Sequence, residues 1–186
     1  MKIGKLLTKL VAELNSKLAE APFIELANIS SLDGGAESSE SRSSIILSVI
    51  NIEENKELKN QIPHHYSPTI ASYQQDSTGL VLSLLFTSCH TDQSKYTDGL
   101  DKLDDITAYF RKNSKLYLQD SNITQTSPSN GSYDIMVLSM VSQKTDQLSQ
   151  VWSYLGSKYQ PSLLYQLQII SFEEENILPV GGIISI

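Results

Sequence analysis

Apolar side chains recur along this chain with two periods, and the points where the period changes divide it into elements. From residue 2 to residue 20, Ile3, Leu6, Leu7, Leu10, Val11, Leu14 and Leu18 keep helical spacing. Lys5, Lys9, Glu13 and Lys17 fill the opposite face, so a helix is predicted there that Pro22 ends. A short strand is predicted from Phe23 to Ser30. The run from Ile45 to Glu54 is rich in β-branched residues and apolar on both faces at its start, as a central strand requires. Leu80 to Cys89 is a second strong strand, with Leu80, Leu82, Leu84 and Phe86 on one face. A helix follows from about Ser94 to Lys112. Leu100, Leu103, Ile106 and Phe110 are predicted inward, with Asp98, Asp101, Asp104 and Asp105 toward its start and Arg111 and Lys112 at its end, as the helix dipole favours. Strands near Lys115 to Leu118 and from Tyr133 to Val141 come next.

The stretch from Leu148 to Ile170 organises the rest. Leu148, Val151, Trp152 and Leu155 recur at i, i+3, i+4 and i+7, one helical stripe that must meet a core. Gly156 is suited to end that helix in the left-handed region, and Pro161 blocks its continuation. Leu163, Tyr165, Leu167 and Ile169 then alternate with Leu164, Gln166, Gln168 and Ile170, a strand with one committed core face. The order strand, helix, strand from Tyr133 to Phe172 suggests a right-handed parallel crossover, whereas the first strands, joined by loops, are expected to pair antiparallel. The fold class expected is α+β: a mixed β-sheet of about four to six strands with helices packed mainly on one face, in a single domain over residues 1–186. Flexible loops are expected near 32–44, 55–79 and 119–132, and the apolar tail from Pro179 to Ile186 is expected to form an edge strand or meet a neighbour.

Size and charge narrow the classes of function. A chain of 186 residues can bury roughly 70% of its unfolded surface, so it needs no metal or disulfide to fold. One cysteine, Cys89, builds neither a disulfide framework nor a multi-cysteine metal site. With 14 basic and 21 acidic residues the net charge is −7, which argues against nucleic acid or an anionic membrane surface as partner. No apolar run approaches the roughly 20 residues a membrane-spanning helix needs, and Lys9, Glu13 and Lys17 interrupt what would be the core of a secretory signal. A protein made and kept in the cytoplasm is the expectation.

Candidate chemistry is sparse. The adjacent pair His64-His65 points opposite ways on an extended chain and has no ligand at metal-binding spacing. Cys89-His90 with Asp92 carries a thiolate, base and carboxylate set, yet neighbours on one strand end cannot face each other. The four aspartates between 98 and 105 lack the spacing of a calcium loop and read as a solvated helix face. Glu53-Glu54 and Glu173-Glu174-Glu175 end strong strands and suit contact with a basic partner surface. Tyr154 and Tyr159 fall off the inward stripe, and exposed tyrosines are favoured at protein interfaces. No cofactor is implied, and the residues alone describe an α+β domain without an enzymatic signature.

Three runs in series add a resemblance. They are Asn28-Ile29-Ser30 with Leu32-Asp33-Gly34; Leu47 to Lys56 with Leu58-Lys59-Asn60; and Trp152, Leu155-Gly156, Lys158-Tyr159 and Pro161-Ser162 with Tyr165 beyond. Together they cover most of the chain, and they resemble the tail-terminator or cap proteins of phage-tail-like contractile injection systems of the virulence-cassette and antifeeding-prophage type. The resemblance implies a structural cap, not an enzyme: a homohexameric ring that ends the inner tube and joins it to the last ring of the contractile sheath. The partners implied are further copies of the chain, the inner tube protein and the contractile sheath protein, with no nucleic acid and no membrane insertion. Assembly in the cytoplasm, then incorporation into a contractile particle, is implied as well. Interface residues are expected at Leu32, Asp33, Glu53, Glu54, Lys56, Lys59, Tyr154, Lys158 and Tyr159. The alternatives are another tail-completion or baseplate component and, from a different class, a small thiol hydrolase or ligand-binding domain using Cys89, His90 and the His64 loop.

Overall fold

The leucine stripe at the start of the chain forms α1 (Ile3–Leu18), which buries Leu6, Leu7, Leu10 and Leu14 and packs Ile3, Val11 and Leu18 beside them. The computed structural model describes residues 2–18, 23–31, 45–55, 79–89, 95–119, 122–129 and 131–172. The expected loop 32–44, residues 56–78 of the expected loop 55–79, and the expected tail strand lie outside them.

Seven strands are present among the described residues: β1 (Ile24–Leu26), β2 (Ile45–Glu54), β3 (Leu80–Ser88), β4 (Lys115–Gln119), β5 (Asn122–Thr124), β6 (Tyr133–Met140) and β7 (Ser162–Phe172). Two further helices are α2 (Tyr96–Lys112) and α3 (Thr145–Leu155). The strands form one mixed sheet in the order β1-β2-β3-β7-β6-β4-β5. The mixed α+β class is as expected. The sheet reaches seven strands because Ile123 turns three residues of the polar 119–132 stretch into an edge strand packed on the core.

Two expected pairings are corrected. Strands β6 and β7 are antiparallel, not a parallel crossover: Met140 stands opposite Tyr165, and the Val141 N–H donates to the Leu164 carbonyl at 2.8 Å. A parallel return would have to retrace the ~27 Å of β6, and α3 is only ~16 Å long and crosses over other strands. The first pair, β1 with β2, is parallel rather than antiparallel, while β2 and β3 are antiparallel as expected. After β1 the chain continues in the same direction into a 3₁₀ turn (Ile29–Ser31), held there by Ser48. The Ser48 hydroxyl donates to the Ala27 carbonyl at 2.6 Å and accepts the Ile29 N–H at 3.0 Å. The expected strand from Phe23 to Ser30 is shortened accordingly.

Two layers of side chains follow from this topology. Leu47, Leu82, Leu84, Phe86, Leu116, Met136, Leu138, Tyr165 and Leu167 project from the sheet toward α1 and α2 and form the main core. Phe86, Phe110 and Tyr165 meet at its centre with ring centroids 5.0 to 5.9 Å apart. On α2 the inward stripe runs Gly99, Leu103, Ile106 and Phe110, which leaves Leu100, expected inward, 40% exposed on the flank of the first turn. The other sheet face carries a smaller cluster of Ile29, Ile46, Leu85 and Trp152, covered by α3. Ile45, Ile46 and Leu47 are thus buried in succession, which is why the start of β2 is apolar on both faces.

Helix α1 touches both outermost strands, β1 and β5. A flat sheet would hold those strands ~29 Å apart, more than the ~24 Å length of the helix, so the sheet curls around its helices instead. At the β1 end the contact is polar. The Asn15 side chain accepts the N–H groups of Phe23 (3.0 Å) and Ile24 (2.9 Å) and donates to the Ile24 carbonyl at 2.8 Å. These are backbone groups that β2 leaves unbonded.

Asn15→Ala strips three hydrogen bonds from a half-buried edge and is expected to cost about 2 kcal/mol, read as a lower urea midpoint with an unchanged slope. Burial raises the hydroxyl pKa of Tyr165, and likewise of Tyr109, above the ordinary value of 10.0. The folded state therefore holds these protons more tightly than the unfolded one. That stabilisation is complete below about pH 10 and is lost as pH rises through the raised values. Urea midpoints should stay level from neutral pH to pH 9 and fall above 10, and Tyr165→Phe should make that fall shallower.

Candidate assembly surface

The residues named as interface candidates fall at two places in the described structure. Glu53 and Glu54 end β2, and Tyr154, Lys158 and Tyr159 lie on α3 and just beyond it, all five exposed. Leu32, Asp33, Lys56 and Lys59 lie outside the described residues.

Helix α3 is fixed by one deeply buried side chain. Trp152 is 4% exposed and packs on Ile29, Ile46 and Leu85, with Leu148 and Leu155 half-buried on the same stripe. At the start of the helix the Gln147 side chain accepts the Lys144 N–H at 3.1 Å, satisfying one donor of the first turn. At its end Gly156 adopts φ 66°, the left-handed conformation expected of it, and its N–H donates to the Ser153 carbonyl at 3.2 Å. The chain then brings Tyr159 edge-on to the Trp152 indole, 5.9 Å between centroids. Tyr154 points away from all of this and is 85% exposed. A side chain this large held in water contributes little to the fold.

A groove of about 480 Å³ lies beside Tyr154. Ile50 of β2 lines it from one side and Val151, Tyr154 and Leu155 of α3 from the other, with Val141, Gln143, Gln147 and Gln150 around its rim. Ile50 reaches it by the same alternation that puts Ile46 on the α3 face, and the pairing with β3 slips by one residue between Val49 and Asn51. Apolar residues, including exposed Val141, alternate there with amides that can both donate and accept, a lining suited to a protein segment.

The sheet edges complete the surface. β1 pairs with β2 only from Ile45 to Leu47, and β5 pairs with β4 only from Tyr117 to Gln119. The second half of β2 therefore extends past its short neighbour, and Ile52 there is 53% exposed. The outward N–H of Ile52 is taken by the Asn51 side chain at 2.9 Å, and the Asn51 amide in turn donates to the Glu53 carboxylate. Across the sheet, the end of β6 and the start of β4 form a similar step, with Met140 49% exposed and Lys115 exposed. Ile52, Met140 and Val141 were not singled out from sequence. Their apolar character reads as core until the lengths of β1 and β5 are known.

The other candidate chemistry resolves plainly. Cys89 follows β3 and is half-buried against the Trp152 cluster, while His64, His65 and His90 lie outside the described residues. Asp98 pairs with Lys102 at 2.7 Å, one turn along α2, and Asp101, Asp104 and Asp105 are exposed. Among the described residues no three His, Cys, Asp or Glu side chains stand together to hold a metal ion, and no helix is long and apolar enough to cross a membrane.

A curled mixed sheet with helices on both faces is a fold shared with solved structures of tube-terminating caps. Over 100% of its length the chain is similar in structure to the cap of the anti-feeding prophage, described as a tube-terminating cap, with a TM-score of 0.57 and 13% identity over 62% of that chain. It is similar as well to the sheath/tube terminator, in its extended state, of the extracellular contractile injection system PVC, with a TM-score of 0.53 and 13% identity over 63% of that chain. At such identity the likeness is one of fold, and the chain spans a little under two thirds of either relative. Its sequence is more specific: residues 6–186 match the Pvc16 N-terminal domain, and the chain belongs to that family. No curated protein sequence matches it.

Trp152 tests how α3 is held. Its indole N–H has no hydrogen-bond partner among the described residues, so Trp152→Phe discards an unsatisfied donor while keeping much of the packing and should change stability by less than about 1 kcal/mol. Trp152→Ala should cost about 3 kcal/mol or more. Tyr154→Ser should leave the urea midpoint unchanged and weaken only association with a partner, read by pull-down of assembled particles.

Proposed function

We propose that this chain terminates the inner tube of a contractile injection system. Six copies form a ring on the last tube ring, and the same ring meets the last ring of the sheath, so that neither polymer grows further and the two are tied together. The reading is carried by one observation: the whole chain shares the fold of two tube-terminating caps and belongs to the Pvc16 N-terminal domain family.

The surface described above supports it. Ring formation needs a heterologous contact whose rotation closes, and so two different faces on each copy that match each other. A terminator also needs a face that the next subunit cannot extend. Here the acidic end of β2, the groove under Tyr154 and the stepped edge at Met140 and Lys115 supply distinct contact regions on one molecule. The activity is mechanical, and the partners are the tube protein, the sheath protein and further copies of the chain. Assembly takes place in the cytoplasm, and the chain then travels as part of the particle. The expected interface residues Leu32, Asp33, Lys56 and Lys59 belong to the same contact surfaces in this reading.

Particles assembled with and without this chain, imaged side by side, test the proposal. Tubes of uncontrolled length without the chain, and a ring of six at the tube end with it, are the expected outcome. Particles of normal length in its absence would overturn it. Cys89→Ala should cap as the wild type does, since the thiol is packing material against Trp152; loss of capping by a folded Cys89→Ala protein would revive a thiol-based role.

A further inference from the structure

The two stretches of sheet edge that are open among the described residues lie at the same level of the sheet. Following the register from β2 across to β4, Glu53 stands opposite Val81, Val81 opposite Gln168, Gln168 opposite Val137 and Val137 opposite Lys115. One cross-strand row thus begins with an exposed carboxylate and ends with an exposed ammonium, on the two strands that outrun their short edge partners. Each edge also exposes one large apolar side chain, Ile52 next to Glu53 on β2 and Met140 three rows from the Lys115 row on β6. The backbone is aligned for it too. The Leu138 N–H donates to the Ser114 carbonyl, so the alternation of the ladder turns the N–H and C=O of Lys115 away from β6, toward the side that β5 leaves uncovered.

We propose that neighbouring copies of this chain join by these two edges: the second half of β2 on one copy lies beside the β6–β4 step of the next, with Glu53 facing Lys115 of that copy and the exposed Ile52 and Met140 covered in the same contact. The inference rests on the ring reading above and names the contact that makes the ring. Both edges sit in one row, so the operation relating two copies is a rotation with little shift along the strands. Repetition then closes on itself rather than climbing into a filament. Opposite charge at the two edges selects head-to-tail contact, because like edges brought together repel.

Charge exchange tests the contact. Glu53→Lys leaves a copy with two basic edges, and Lys115→Glu leaves one with two acidic edges. Each variant alone should need at least about tenfold more protein for half-assembly than the wild type, measured by solution mass with tube ends supplied as template. An equimolar mixture of the two should assemble again, because copies alternating round an even-numbered ring place every Lys against a Glu. Circular dichroism of each variant should match the wild type, since both side chains are exposed. Single variants that assemble as readily as the wild type, or a mixture that stays dispersed when each variant is folded, would overturn the edge pairing while the wild-type ring stands. A wild-type chain that forms no ring even on tube ends would overturn the ring reading itself.

Discussion

A seven-stranded sheet has two edges, and in this protein one helix is in contact with both. Helix α1 meets β1 through the Asn15 amide and packs against β5 at the far side, while its leucine stripe fills the space between. This constraint decides the curl of the sheet, and the curl encloses a single core in which Phe86, Phe110 and Tyr165 touch. It also decides how much edge is protected. An edge strand with unpaired backbone invites pairing with any other strand, and short edge strands are a common remedy. Here both are three residues long, so among the described residues protection stops where β1 and β5 stop.

Helix α3 belongs to a different order of stability. It rests on the opposite face through one buried indole, a few half-buried aliphatic groups and a glycine that turns the chain back. So light an attachment is an economical way to present Tyr154 and the groove beneath it. The helix contributes little to the core, and its exposed side is left open to the needs of a partner.

Much of the architecture was legible in residue spacing. The stripes of α1 and α3, the left-handed Gly156, the committed face of β7 and the double burial at the start of β2 all follow from periods of 3.6 and 2 with glycine and proline as punctuation. Strand direction was not legible, because it depends on where a connection comes to rest. Ser48 holds the segment after β1 in line with β2, and α3 delivers β7 to the end of β6 it had just left. Leu100 was misjudged because a helical stripe begins where the facing layer begins, and Gly99 occupies that point. Glu53, Glu54, Tyr154, Lys158 and Tyr159 were legible as exposed, while Ile52, Met140 and Lys115 were not legible as surface partners. What makes them so is the brevity of strands elsewhere in the chain.

The small bond from the Ile52 N–H to the Asn51 side chain has a bearing on reversibility. An outward amide on an open strand would otherwise bind water or the first extended segment to drift past. With an acceptor supplied by the adjacent residue, the newly made molecule is saturated at that point, and docking exchanges one hydrogen bond for another of similar strength. Little enthalpy is released by a single encounter, so a wrongly seated neighbour departs easily. In the ring proposed above, only the cumulative contact of a completed circle, in which no molecule can leave without breaking two joints, becomes long-lived.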